Sequence, residues 1–129
     1  MSSIIIDINR DRAMQSYLNI ESFKKSETKE NQEKMKSYCR KLPSMLKVNG
    51  LIETLVYLKS KSKGKEGEKT IYGVLEEWLE ECLKMTFKEL ESDILVLKIA
   101  AADLKNYRNY TEELMNISIW YKRHAEALL

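Results

Sequence analysis

Glycine and proline are scarce in this chain, with four Gly and one Pro among 129 residues. Because these two residues occupy most tight turns, their scarcity argues against a fold of many short strands. Lys, Glu, Leu and Met, which favour helices, dominate instead. The sequence therefore predicts an all-α fold, a single-domain bundle of about five to seven helices over residues 1–129.

Residues that bind metals or transfer protons are also few, with two Cys and one His. Cys39 and Cys82 lie within apolar helical patterns and form no CxxC motif, so we expect buried free thiols; a single bridge between them is the alternative. His124 has its nearest carboxylate, Glu126, on another side of the helix. With no Gly-rich phosphate loop either, we expect a protein without enzymatic activity, metal or cofactor.

Long hydrophobic runs are absent, since no 18 consecutive residues are apolar. The N-terminal "MSSIIIDI" has no basic region before its apolar run and no small-residue cleavage site. We therefore expect a soluble, cytoplasmic protein that does not enter a membrane.

Apolar residues at spacings of three and four predict helices in the first half of the chain, the first over about residues 9–25. The inward positions of the first two helices are Ala13, Tyr17, Ile20, Met35, Cys39, Leu42 and Leu46. Pro43 predicts a kink, or a break at which a new short helix begins. Asn49-Gly50 predicts a cap or sharp reversal, followed by a helix that buries Leu51, Leu55 and Leu58.

In the second half, "KSKSKGKEGEK" at about residues 59–69 predicts a flexible charged loop. The inward residues of the next helix are Ile71, Leu75, Trp78 and Cys82. Thr86 and Glu89 resemble a capping box that opens a further helix, and Asp103 is the expected cap of the last one. That helix is predicted to be long, because apolar residues recur to the C-terminus: Tyr107, Tyr110, Leu114, Ile117, Tyr121, Ala125 and Leu128.

Charge is distributed unevenly along the chain. Residues 34–65 hold nine Lys or Arg and one acid, Glu53, whereas residues 66–93 hold nine acids and three Lys. On a helical wheel, Lys36, Arg40 and Lys47 share one side of the second helix, with Lys41 apart from them. Basic residues also share one side of the last helix: Lys105, Arg108, Lys122 and Arg123. Such rows can follow a phosphate backbone, although a solvated surface is an equally good interpretation of charge alone.

Several motifs resemble the small α-helical subunit family of the type III-B CRISPR effectors, the Cmr complexes. They are Arg12-Ala13, Tyr38, Arg40-Lys41-Leu42-Pro43, Asn49-Gly50-Leu51, Tyr57-Leu58-Lys59-Ser60-Lys61, Trp78-Leu79, Tyr107-Arg108, Thr111, Leu114, Trp120, Lys122-Arg123 and Ala125. Their order and spacing cover nearly the whole chain. The charged loop at 59–69 departs from the family pattern, so the resemblance gives it no role.

The resemblance implies a non-catalytic subunit of an antiviral ribonucleoprotein that stacks along the complex with copies of itself and other Cmr subunits. Its basic surface is expected to bind the backbones of guide RNA and target RNA through Lys36, Arg40, Lys41, Lys47, Lys59, Lys61, Arg108, Lys122 and Arg123. Expected subunit contacts are Tyr57, Glu76, Glu77 and Glu80. The isolated protein is expected to be monomeric.

Two other functions stay open at the level of sequence. Residues 42–61 could form a DNA-binding helix-turn-helix. Its second helix offers no Asn, Gln or Arg for bidentate contacts with bases. The exposed residues that it offers are Glu53, Thr54, Tyr57, Lys59 and Lys61. A helical adaptor that binds only proteins is the other alternative.

Overall fold

The structure is a computed structural model that describes residues 2–129, with side chains from Ile8 onward. Over these residues the chain forms six α-helices and one 3₁₀ turn at Lys88–Leu90, with no strand longer than a single bridge. The helices are α1 (Ser2–Ser26), α2 (Lys29–Asn49), α3 (Leu51–Ser60), α4 (Ile71–Thr86), α5 (Leu95–Ala100) and α6 (Leu104–Leu128). The predicted single all-α domain with a long C-terminal helix is confirmed.

Helix α6 lies at the centre of the bundle and packs along both α1 and α2. Its predicted inward residues are largely confirmed: Tyr110, Leu114, Ile117, Tyr121 and Ala125 are buried, and Tyr107 and Leu128 are half-buried. The predicted cap is also confirmed, because the Asp103 side chain accepts a hydrogen bond of 2.9 Å from the Asn106 amide.

Helix α1 buries a different line of residues from the one predicted. Ser16, Ile20 and Phe23 are buried, whereas Tyr17 is 42% exposed and Ala13 is half-buried. The small Ser16 can lie in the core because its hydroxyl donates to the Arg12 carbonyl at 2.6 Å, which satisfies the polar group.

Helix α2 runs through Pro43 without the predicted break. Its inward residues Met35, Cys39 and Leu42, together with Leu46, are buried as predicted. Packing along α6 holds the helix together although Pro43 has no N–H to donate. Gly50, with φ of +89°, then donates its amide to the Leu46 carbonyl at 3.0 Å and turns the chain into α3.

Backbone hydrogen bonds shape residues 61–70, which join α3 to α4. The Gly64 amide donates to the Glu68 carbonyl at 2.8 Å, and the Thr70 amide donates to the Ser62 carbonyl at 3.0 Å. Residues 59–60 of the predicted loop form the last turn of α3. The flexibility of this loop stays a prediction.

The predicted capping box at Thr86 and Glu89 is wrong. Thr86 is the last residue of α4, and its hydroxyl donates to the Cys82 carbonyl at 3.2 Å. The Glu89 carboxylate accepts instead from the Tyr110 hydroxyl at 3.0 Å. A single 3₁₀ turn follows at Lys88–Leu90, and it buries Leu90. Leu75 and Cys82 of α4 are buried as predicted, while Ile71 and Trp78 are half-buried.

Candidate nucleic-acid interface

The basic row of α2 lies beside the basic residues of α6. Lys36, Arg40 and Lys47 share one flank of α2, and Arg40 Nε lies 3.8 Å from Glu126 Oε2 on α6. Because α2 stays helical through Pro43, the row is continuous. Arg40 and Lys47 are exposed, whereas Lys36 is half-buried. Lys41 is exposed but projects from another side of the helix.

On α6, Arg108 and Arg123 are exposed and Lys122 is half-buried. The Arg123 guanidinium lies 5.5 Å from the Trp120 ring centroid, which holds this charge against an aromatic face. Since Lys122 precedes Glu126 by one helical turn, the contact between Arg40 and Glu126 joins the α2 row to the end of the α6 row. We call this surface the α2–α6 face.

The remaining predicted RNA-binding residues, Lys59 and Lys61, belong to a different surface. Lys59 Nζ lies 3.9 Å from Glu76 Oε1, and Lys61 Nζ lies 5.5 Å from the Tyr57 ring centroid. Both lysines are exposed at the end of α3 or just beyond it. The structure therefore separates Lys59 and Lys61 from the α2–α6 face, and Lys41 lies on neither surface.

The predicted subunit contacts differ in their accessibility. Glu76 is only 6% exposed and packs between α3 and α4, where desolvation raises the pKa of its carboxyl group. Glu77 is exposed and forms an ion pair with Lys69, while Glu80 is half-buried. Tyr57 is 39% exposed. Glu77, Glu80 and Tyr57 can therefore reach a partner, whereas the buried Glu76 carboxylate is covered within the molecule.

Sequence reasoning missed an ion pair between α1 and α6. Arg12 donates from Nε to Glu113 Oε2 at 2.8 Å and from Nη2 to Glu113 Oε1 at 2.5 Å. These hydrogen bonds raise the pKa of the Arg12 guanidinium. Glu113 precedes the inward Leu114 and lies one turn before Ile117, so its position beside the apolar stripe was the available signal.

It also missed a tyrosine cluster on three helices. The rings of Tyr38 on α2 and Tyr72 on α4 stack with centroids 3.9 Å apart and planes at 13°. Tyr57 on α3 meets Tyr72 edge-on at 5.9 Å. The position of Tyr38 beside the buried stripe of α2 was the available signal for this cluster.

Cys39, Cys82 and His124 are buried or half-buried. Among the side chains it describes, no group of three or more His, Cys, Asp or Glu could hold a metal ion. Cys39 and Cys82 are free and buried, as expected, and burial raises the pKa of Cys39 to about 12. The His124 Nε2 atom lies 3.0 Å from the Ala13 carbonyl oxygen, which ties it to α1.

The helix-turn-helix alternative loses one of its readers. Thr54 is fully buried rather than exposed on α3 as predicted, so it cannot reach a base edge. A second reader, Lys59, lies 3.9 Å from the Glu76 carboxylate.

No helix in the described part of the chain is long and apolar enough to cross a membrane.

Comparisons with known proteins agree with the motifs. The Cas_Cmr5 family model, described as CRISPR-associated protein, matches residues 8–128. A Cmr5 family protein from Thermus thermophilus, known from its crystal structure, has the same fold: its TM-score is 0.72 at 23% identity, over 94% of this chain and 99% of that chain. No curated protein sequence matches the chain. The chain belongs to the Cmr5 family of CRISPR-associated proteins, the small-subunit family of the type III-B Cmr complexes that its motifs resemble.

Proposed function

We propose that this protein is a non-catalytic small subunit of a type III-B CRISPR effector that binds RNA backbone through its α2–α6 face. The family match over residues 8–128 carries the proposal. In the complex, the protein lies beside copies of itself and other Cmr subunits in the prokaryotic cytoplasm. It contributes charge and shape rather than a reacting group.

The arrangement of charge on the α2–α6 face supports backbone binding. Lys47 and Arg108 are exposed, and neither has a carboxylate within 4 Å among the described side chains. A phosphate that binds such a cation displaces only counterions, and their release favours binding. Arg40 contributes less, because Glu126 competes for it.

The acidic surface of α4 is the proposed contact with a neighbouring subunit. Glu77 and Glu80 are three residues apart on α4. Glu80 also lines an apolar depression, together with Val56, Ile94 and Leu97. These three apolar residues are 49–63% exposed. A partner with a basic rim around an apolar residue fits this surface.

Purification from the native host tests the assignment to the complex. A tagged chain is expected to recover a large assembly with short guide RNAs that share a repeat sequence, identified by mass spectrometry and RNA sequencing. Recovery of the protein alone, or with duplex DNA, would contradict the proposal.

Charge reversal tests the role of the α2–α6 face. The double variant Lys47→Glu, Arg108→Glu is expected to enter the assembly but to lose target RNA at lower salt than the wild type. Lys25→Glu, Lys88→Glu is the matched control, since it reverses two exposed charges elsewhere. Equal RNA retention by both variants would exclude a role for this face.

A further inference from the structure

A second basic surface lies on the other flank of α2. It is a cleft of ≈ 620 Å³ between α2, residues 61–70 and the start of α4. The helical wheel places Lys34 and Tyr38 across the buried stripe from Lys36, Arg40 and Lys47. The cleft is therefore separate from the α2–α6 face, and its volume lies within the range of ligand sites.

Four lysines line this cleft: Lys34, Lys61, Lys63 and Lys69. Lys69 pairs with Glu77, and Lys34 lies 3.7 Å from Glu30. Lys61 and Lys63 have no carboxylate within 4 Å among the described side chains. Two cations are thus available to an anion.

Only one acid is among the described residues that line the cleft, Glu68, and its carboxylate is engaged locally. Glu68 Oε2 accepts a hydrogen bond of 3.0 Å from the Glu66 amide within the same turn. The cleft therefore carries a net positive charge. Three of its four lysines lie on residues 61–70, where backbone hydrogen bonds join Thr70 to Ser62 and Gly64 to Glu68.

The tyrosine cluster forms the wall of the cleft. Tyr38 and Tyr72 line it directly, and Tyr57 extends the aromatic surface to Lys61. The Tyr72 hydroxyl is protonated at neutral pH, as in any tyrosine, and burial raises its pKa further, so it adds no negative charge. The wall thus places aromatic rings and hydroxyl groups beside two ammonium groups that have no carboxylate within 4 Å among the described side chains.

We propose that this cleft binds one or two nucleotides of a single RNA strand, with phosphates on Lys61 and Lys63 and a base against the tyrosine cluster. The inference rests on the proposed RNA-binding function and gives it a second site. Lysines beside aromatic faces are the combination that binds single strands without regard to sequence. An acidic peptide would use the lysines but would leave the tyrosine faces without a partner.

This site also gives a role to the charged segment that joins α3 to α4. Lys61, Lys63 and Lys69 come from it, and it borders the cleft because the Thr70 amide binds the Ser62 carbonyl and returns the chain to α4. Tyr57, expected at a subunit contact, is assigned to RNA instead.

Fluorescence anisotropy with an end-labelled oligouridylate tests the site in the intact chain. The binding constant K falls as salt rises, and the slope of log K against log salt is expected to be shallower by about 1.4 in Lys61→Ala, Lys63→Ala. Each lost phosphate contact reduces the steepness by about 0.7. Tyr57→Leu, which removes a partly exposed ring, is expected to weaken binding about fivefold or more. Lys25→Ala, Lys88→Ala is the charge-matched control and is expected to keep the wild-type slope.

Three results would overturn the site. One is an unchanged slope in Lys61→Ala, Lys63→Ala while Lys47→Glu, Arg108→Glu weakens binding, which leaves the proposed function standing on the α2–α6 face alone. Another is equal affinity for poly-L-glutamate of matched charge and for the oligouridylate, which would show that the tyrosines select nothing. The third is no oligouridylate binding by the folded wild-type chain at low salt; co-purification with the effector then decides the proposed function separately.

Discussion

Glu113 and Glu76 are both 6% exposed, but their surroundings differ. Glu113 receives two hydrogen bonds from Arg12, which compensate for the loss of water. Glu76 has only Lys59 at 3.9 Å, and its Oε2 atom has no hydrogen-bond partner among the described groups. One glutamate therefore stabilises the contact between α1 and α6, whereas the other opposes the packing of α3 on α4 when it is ionised.

Arg12→Met is expected to lower the free energy of unfolding by about 2–4 kcal/mol, because it leaves the Glu113 charge buried without a partner. Urea unfolding measures the effect. The double variant Arg12→Met, Glu113→Leu is expected to recover most of the lost stability. The control Lys25→Met removes one partner of an exposed ion pair and is expected to change stability by less than about 0.5 kcal/mol. A single variant as stable as the wild type would show that the pair contributes nothing.

Glu76→Gln is expected to stabilise the protein at neutral pH. Desolvation raises the pKa of Glu76 above its ordinary value of 4.5, with Glu80 and Glu77 adding to the effect and Lys59 opposing it. The folded state therefore binds the proton more tightly than the unfolded state, so Glu76 lowers stability as the pH rises above 4.5.

The measurement is the free energy of unfolding of both proteins as a function of pH. The stability gained by Glu76→Gln is expected to grow with pH and to vanish below the unfolded-state pKa, where Glu76 is protonated in both states. Glu77→Gln, at an exposed position, is the control. A difference that does not depend on pH would mean that folding does not raise the pKa of Glu76.

The turn between helices α2 and α3 depends on one glycine. Gly50 has φ of +89° and ψ of 172°, a conformation open almost only to glycine. A Cβ there would meet no atom within 4 Å, so backbone strain is the whole effect of a substitution. By contrast, Pro43 does not end its helix, because neighbouring packing outweighs one missing hydrogen bond.

Gly50→Ala is expected to lower the free energy of unfolding by about 1–3 kcal/mol through strain at this turn. Chemical denaturation compares it with Asn49→Ala, which changes the adjacent exposed residue and keeps Gly50. If both variants match the wild type, the turn does not need a glycine.

For the whole molecule, α6 connects the other helices. It packs along α1 and α2 and also contacts α3, α4 and α5. Its Tyr121 hydroxyl accepts from Asn19 Nδ2 of α1 at 2.7 Å, and its ring stacks on Trp78 of α4 at 5.6 Å. Unfolding of α6 would therefore remove packing from each of the other five helices.

The chain is accordingly expected to unfold in one cooperative step. Circular dichroism, which follows helix content, and tryptophan fluorescence should show the same unfolding transition. Trp78 reports on α4, and Trp120 reports on the contact between α6 and α1. A separate early transition in helix content would show that some helices melt independently.

Much of the fold could be predicted from local sequence. The inward residues Met35, Cys39 and Leu42 follow the helical period, and Asp103 caps α6 as its position predicted. The predictions for Tyr17 and Thr54 were wrong because a periodic pattern gives a helix but not which neighbour covers each side of it. The Thr86 cap was wrong because the same hydroxyl can also bond backward to Cys82.

The all-α class, the long last helix and the Cmr5 family follow from the sequence, since helical periodicity and ordered motifs are properties of the chain alone. Which charges are available depends instead on how the helices pack. It buried Glu76, paired Arg12 with Glu113, and brought Tyr38, Tyr57 and Tyr72 together from three helices. Burial, pairing and stacking depend on distances between residues far apart in sequence, and packing around α6 sets those distances.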